Sequence, residues 1–403
     1  MERRGVKFLG AMPPETPPAT TRRCRNRDCI NRFVPVNANN FYCSPECRAA
    51  ESTWSIEEIL QEEGALLPDA SPLETAKRAF GQKNQAVRRA TALQSLREYL
   101  AFEVSTFYEE NPSYRWPPLT APEPDDGHKG EREVIIDLSD WQVGKLENGI
   151  GIDCMRNERL PRIKAATRAI VERQRAAGYA VNRARVVFGG DMIEGCFIYG
   201  GQNVTGLDRT ANTHWLRKQC QVAAHMKAEV VYDVASYVEE VTADEVGGNH
   251  GRPNGKSDFS DPADNLDLMS GDWASDITRH EPRILWTIHD DWWGSLESLG
   301  HPVVFFHGDQ WNGPFHKLED LVPKWLANNV FGCRPALILT HHRHDFAILR
   351  VAGIPIVQNG TIDGGSKWYL KAYGKAAPPT QTITVMSAKR GVESVWPIDF
   401  NAT

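Results

Sequence analysis

The sequence predicts a mixed α/β protein: a sandwich of short strands flanked by helices, preceded by a small N-terminal module. Three observations lead there. From residue 131 onward, apolar strand-like runs alternate with helix-like stretches, and short strands dominate the second half. Five polar motifs, SDWQVGK (139–145), FGGDMIEG (188–195), VGGNHGR (246–252), FFHGD (305–309) and THHRH (340–344), each close such a run. Four cysteines and nine basic residues crowd the first fifty positions.

Taken in order, residues 1–52 form a basic segment carrying the cysteines, and 53–110 read as helical. Ser71, Pro72 and Glu74 supply an N-cap, a first-turn proline and a capping-box acid for the longer of two amphipathic stretches there. Five prolines between 111 and 130 mark a linker, and 131–403 forms the main domain. Within it, VIIDLS (134–139) is a buried-type strand. A helix is expected over 161–177, with Pro161 at its start and Gly178 beyond its end. ARVVFGG is the next strand, and a long helix follows at about 208–240. Further strands are expected at 283–288, 302–306, 335–340, 346–351, 354–358 and 382–386.

At 403 residues, with 41% hydrophobic and 24% charged, the chain can bury a large core. No apolar run reaches the roughly 18 residues of a membrane span, and the N-terminus has no apolar core of a signal peptide. A cytoplasmic protein without membrane contact is expected. Charge is unevenly spread: residues 1–50 carry a net +5, while the whole chain is −6, which leaves −11 for the remainder. An acidic main domain suits a carboxylate-rich metal centre, and a polyanionic partner would dock on the basic N-terminal segment.

The spacing Cys24-x4-Cys29-x13-Cys43-x3-Cys47 gives two close pairs separated by a loop, the pattern of a tetrahedral structural Zn²⁺ site. YCSPECR resembles the second knuckle of treble-clef or zinc-ribbon modules. Cys154, Cys196, Cys220 and Cys333 are scattered and are expected in the core.

The five motifs end strands in Asp, Asn, Gln or His, the residue types that hold two adjacent divalent cations. Such a pair needs a bridging carboxylate plus separate ligands for each ion. The ordered set resembles the calcineurin-like metallophosphoesterase superfamily, whose signature is D-x-H, G-D-x-x-(D/E), G-N-H-(D/E), a later lone His and G-H-x-H. The resemblance covers about 134 to 365. It implies a four-layer sandwich in which Asp140 ligates a first metal, Asp191 bridges both, and Asn249 ligates the second with His250 beside the scissile phosphate. His307 and His342 would complete the second site and His344 the first. Catalytic roles would fall to His250, Asp191 and Asn249.

Three departures stand out. Gln142 occupies the position of the family's first His; as a ligand, its amide oxygen favours Mn²⁺ or Mg²⁺ over zinc, and otherwise it leaves the first site looser. His341 replaces a Gly and would point to the opposite face of an extended segment from His342. Gly251 and Arg252 follow His250 where the family has an acid, and Arg252 could contact a substrate phosphate.

The resemblance therefore implies hydrolysis of a phosphodiester with two divalent metal ions, Mn²⁺ or Mg²⁺. SDWQVGK is similar to the S-D-x-H-x-G start of double-strand-break-repair nucleases, and the basic cysteine module suggests tethering to DNA. A DNA exo/endonuclease is the first expectation, working alone, as a homodimer or with a partner ATPase. A phosphatase or phosphodiesterase acting on small nucleotides or phosphoproteins is the alternative enzyme. A binding adaptor with a degenerate site is the non-enzymatic one.

Overall fold

The computed structural model describes residues 116–403, except 148, 196–197, 199–206, 254–260, 312, 364–373, 375–376 and 402–403, together with Arg22–Arg23 and Arg32–Phe33. The expected zinc ligands Cys24, Cys29, Cys43 and Cys47, and the helical region 53–110, lie outside the described residues. The chain divides into two compact units, Met1–Leu96 and Arg97–Thr403. In the first, β1 (Arg22–Arg23) pairs antiparallel with β2 (Arg32–Phe33).

The second unit begins its regular structure with β3 (Glu131–Leu138), followed by a short helical and π-helical turn over 152–159 and α1 (Leu160–Ala176). Next come β4 (Ala180–Phe188), α2 (Leu216–Ala235), β5 (Glu240–Glu245), α3 (Leu266–Thr278) and β6 (Ile284–Ile288). A second series follows: β7 (Trp293–Ser298), β8 (His301–Phe306), α4 (Leu318–Ala327), β9 (Leu337–Thr340), β10 (Ala347–Val351) and β11 (Ile354–Gln358). The chain then returns to the first series with β12 (Thr380–Ser387) and β13 (Gly391–Asp399).

Two sheets result, with strand orders β13-β12-β3-β4-β5-β6 and β10-β11-β9-β8-β7. Strands β3 to β6 run parallel to one another, as do β8, β9 and β11. Side chains alternate across each strand, so each sheet has two apolar faces. Val303 and Phe305 of β8 pack with Ile135, Val187 and Met386 between the sheets. Val304 and Phe306 turn outward onto Leu318 and Val322 of α4. Helices α1, α2 and α3 contact the six-stranded sheet. The expected four-layer helix–sheet–sheet–helix sandwich is thus the observed architecture.

Most expected elements appear within a few residues of their predicted bounds, and the differences have local causes. The helix expected at 208–240 is shorter: 210–212 form a 3₁₀ turn, and half-exposed Trp215 is its N-cap. Strand β13 is not expected from the sequence, since Pro397 interrupts its run; it is an edge strand, where a missing N–H is tolerated. Helix α3 is apolar around most of its circumference and carries Gly271, which reads as a breaker. A Cβ there would meet Glu245 Oε2 at 2.3 Å, so the glycine lets α3 lie on β5. Cys220 is buried as expected, whereas Cys154 and Cys333 are only partly covered.

Candidate metal centre

Parallel strands bring their C-terminal ends to one edge of a sheet, and ligands bind at that edge. The loops after β3, β4 and β5 leave the six-stranded sheet there, and those after β8 and β9 leave the other. The first two loops run side by side: Asp140, Gln142 and Val143 donate backbone N–H groups to the carbonyls of Gly190, Asp191 and Met192. Nine non-glycine residues among those described have positive φ, and five of them are Asp140, Gln142, Asp191, His342 and His344. Left-handed backbone costs bulky residues about 1–3 kcal/mol each, and such strain collects at sites the surrounding fold over-determines.

The side chains converge. Ligand atoms of Asp191, His307 and His342 all lie within 4.8 Å of one another. His307 Nε2 is 3.0 Å from Asp191 Oδ2, and His344 Nε2 is 3.1 Å from Asp140 Oδ1. Yet Asp191 Oδ2, His307 Nε2 and Asp140 Oδ1 are buried without a hydrogen-bond partner, as are Asn249 Oδ1 and His342 Nδ1. Buried polar atoms are normally satisfied, so these orphans, with Asp191, His307 and His342 gathered within 4.8 Å, call for a cation. Two ligand atoms roughly 2.1 Å from one ion and at right angles stand roughly 3 Å apart, which is the spacing found.

Tautomers agree with this reading. His307 Nδ1 lies 2.8 Å from the Gly189 carbonyl oxygen, which can only accept, so Nδ1 carries a proton and Nε2 is the atom turned to Asp191, a metal donor once its own proton is lost. Burial alone would lower the His307 pKa, but the facing Asp191 carboxylate pushes it up to about 10. Burial opposes ionisation of Asp191 and Asp140 as well, and the histidines override it, holding both carboxyls below their usual range. His342 goes the other way: burial, then His307, keep it well below an ordinary histidine, a neutral donor for a metal.

His250 sits over this cluster. Its backbone N–H donates to Asp191 Oδ1 at 2.7 Å, and its Nδ1 donates to the Glu194 carbonyl at 2.8 Å. Against burial, Asp191 and Glu194 hold its pKa up to about 9; a cation on Asp191 would cancel the larger part of that pull. Arg252 pairs with Asp309, which places the guanidinium on the loop after β8. Gln142 is buried, its oxygen accepting from Lys145 Nζ at 2.7 Å and its amino group 3.3 Å from His250 Nε2. As expected, His341 points away: its Nε2 pairs with Asp137 Oδ1 at 2.9 Å beneath the site, both fully buried.

Several supporting residues were not anticipated. Asp267, at the start of α3, accepts backbone N–H groups from Asp191, Ile193 and Gly248, clamping two site loops. Gly248 must be small, since a Cβ would fall 2.2 Å from Asp191 Oδ1. The segment NGTID (359–363) after β11 is a sixth site motif. Asn359 donates to the Asp137 carbonyl, Thr361 to the Asp140 carbonyl, and Asp363 binds Lys145. It has the form of four of the other five, an apolar strand ending in Gly and polar residues.

No protein-family model matches the chain, and no curated protein matches it. Solved structures do. An archaeal phosphodiesterase is 14% identical, with TM-score 0.30, over 66% of this chain and 99% of its own. Zinc-bound Vps29 from Entamoeba histolytica is 12% identical, with TM-score 0.29, over 66% and 99%. A predicted phosphoesterase from Streptococcus pneumoniae is 10% identical, with TM-score 0.27, over 66% and 97%. The centre itself, with carboxylate, carboxamide and imidazole donors at the strand ends of a four-layer sandwich, is suited to binding divalent metal.

Proposed function

We propose that the chain is a metal-dependent phosphoesterase hydrolysing phosphodiester bonds, and that its substrate is DNA. One observation carries the reading: ligand atoms of Asp191, His307 and His342 lie within 4.8 Å of one another, and a buried polar atom of each, and of Asn249, has no hydrogen-bond partner. Asp191, Asn249, His307 and His342 would hold one cation, and Asp140, Asp191 and His344 a second. The carboxylate and carboxamide oxygens suit Mn²⁺ or Mg²⁺, and the imidazoles beside them rank Mn²⁺ ahead of Mg²⁺. Bound there, such ions supply Lewis-acid charge for phosphate oxygens and lower the pKa of a water.

The chain's own groups do the rest. His250 has its Nδ1 proton committed to Glu194 and its Nε2 beside the Gln142 amino group; released from that contact, Nε2 would hold or pass a proton to a leaving oxygen. The backbone N–H of His250 keeps Asp191 Oδ1 occupied, so Oδ2 alone turns inward. Arg252 and the basic N-terminal residues would contact phosphates of a polymer, a use that small phosphoesters do not require.

The test is digestion of end-labelled single- and double-stranded DNA with Mn²⁺, comparing the full chain with His342→Ala. Metal-dependent cleavage lost in the variant supports the nuclease reading. Intact DNA alongside hydrolysis of an aryl phosphate would replace it with a small-substrate phosphoesterase. Inertness toward both with manganese bound would point to a binding role or to a partner ATPase.

A further inference from the structure

The two halves of the centre are unequal, and Lys145 is the reason. Among the described residues, three side chains, Asp191, His307 and His342, form a close ligand group on the second half. Besides the shared Asp191, the first half offers the Asp140–His344 pair, and the sequence resemblance makes Gln142 its remaining donor. That donor is committed. Lys145 is buried, and its ammonium donates to Gln142 Oε1 at 2.7 Å and to Asp363 Oδ2 at 2.5 Å, with Glu147 3.9 Å away.

The orientation of the amide is fixed by chemistry. An ammonium has only protons to give, so the atom facing it must be the oxygen, and the amino group must face His250. A carbonyl oxygen has a second lone pair, but an ion on it, about 2.1–2.2 Å from the oxygen, would come within about 5 Å of the Lys145 ammonium. Asp363 balances the lysine's charge but does not free the oxygen. The turn before Lys145 packs closely on α2: Gly144 has φ +106°, and a Cβ there would fall 2.6 Å from the Gln219 side chain.

We propose that Lys145, acting through Gln142, makes the first metal position weak and exchangeable. The protein then rests with a single ion on Asp191, Asn249, His307 and His342, and gains a second when a phosphate supplies the missing oxygen ligands. Lys145 is here a positioning residue, since it reaches the ion only through Gln142. This rests on the metal-centre reading above.

The experiment is Mn²⁺ titration of the metal-stripped full chain by calorimetry, with electron paramagnetic resonance counting isolated and spin-coupled ions, with and without inorganic phosphate. The wild type should take one Mn²⁺ per chain tightly and a second at least about tenfold more weakly, the range over which outer-shell partners tune metal affinity. Phosphate should strengthen the second and bring out the coupled signal. Gln142→His should bind both ions tightly without phosphate. Lys145→Met should strengthen the second ion, while Lys145→Arg should behave as wild type. A thermal melt of each variant separates misfolding from altered binding, and Gln142→His keeps the test decisive if Lys145→Met unfolds. Two ions of like affinity and a coupled signal in the wild type would overturn the proposal and leave the metal centre standing. No bound Mn²⁺ at all would overturn both.

Discussion

The Asp267 carboxylate accepts the backbone N–H of Asp191 at 2.9 Å and that of Gly248 at 3.0 Å, so one buried side chain ties together two loops of the centre. Its burial raises its pKa, with nearby Asp191 adding to the shift, so the carboxylate is held by its donors against an environment that disfavours charge. Asp267→Ala would leave three buried N–H groups without their acceptor, each worth about 1–3 kcal/mol. We expect a loss of several kcal/mol in denaturant unfolding. Asp267→Asn, which keeps one acceptor oxygen, should fold and bind Mn²⁺ about 10–100-fold more weakly. Unchanged Mn²⁺ affinity in the Asn variant would show that the clamp does not tune the site.

Neighbouring histidines should separate cleanly. His341 pairs with Asp137 in the buried interior, while His342 presents a partnerless Nδ1 to the centre. His341→Ala strands a buried carboxylate, which costs about 3–5 kcal/mol, and should leave Mn²⁺ affinity little changed where the protein is folded. His342→Ala should do the opposite, losing Mn²⁺ affinity with little loss of stability in the metal-free protein. Paired unfolding and Mn²⁺ titration curves decide it; the reverse pattern would exchange their roles.

Metal should stabilise the fold. A ligand present at a hundredfold excess over its Kd and binding only the native state adds about 2.7 kcal/mol. Adding Mn²⁺ to chelator-treated protein should therefore raise Tm by several degrees, and the rise should vanish in Asp191→Ala. A full-sized rise in that variant would place the ion elsewhere.

Outside the centre, Lys227 and Glu245 form a fully buried ion pair between α2 and β5, with Ser270 also bound to the lysine. Burial pushes the Glu245 carboxyl up to about 8, with Lys227 opposing the shift. Above about pH 8, where the carboxyl is ionised, removing one partner strands the other: Lys227→Met should cost about 3–5 kcal/mol there, and Lys227→Met with Glu245→Leu should recover most of it. Denaturant midpoints test this, and additive losses in the double variant would contradict it. Because the folded carboxyl lies above its unfolded value near 4.5, the native state holds the proton more tightly than the unfolded chain. The Glu245 contribution to stability is complete below about pH 4.5, declines as pH rises toward 8 and is lost above it. Glu245→Gln should flatten that part of the stability–pH curve.

The main-domain strands that carry the motifs were legible because buried runs such as VIIDL and VVFF can be recognised without their partners. The donors at their ends were legible because Asp, Asn and His after such runs are chemically conspicuous. The roles of Asp267, Asn359, Thr361 and Asp363 were not. Each works by holding backbone or an ammonium contributed by a segment distant in sequence, and nothing in the local pattern of an Asp at the start of a helix marks that.

Sequence alone determined the strand-and-helix alternation, the donor types and the order in which the chain delivers them, because apolar periodicity and side-chain chemistry are local properties. Tertiary structure alone decided which lone pairs face one another. Gln142 shows the difference: its identity allowed a metal ligand, but the fold set Lys145, itself paired with Asp363, against it. Whether an oxygen is free for a cation depends on the donors that packing brings within about 3 Å, and those come from every part of the chain.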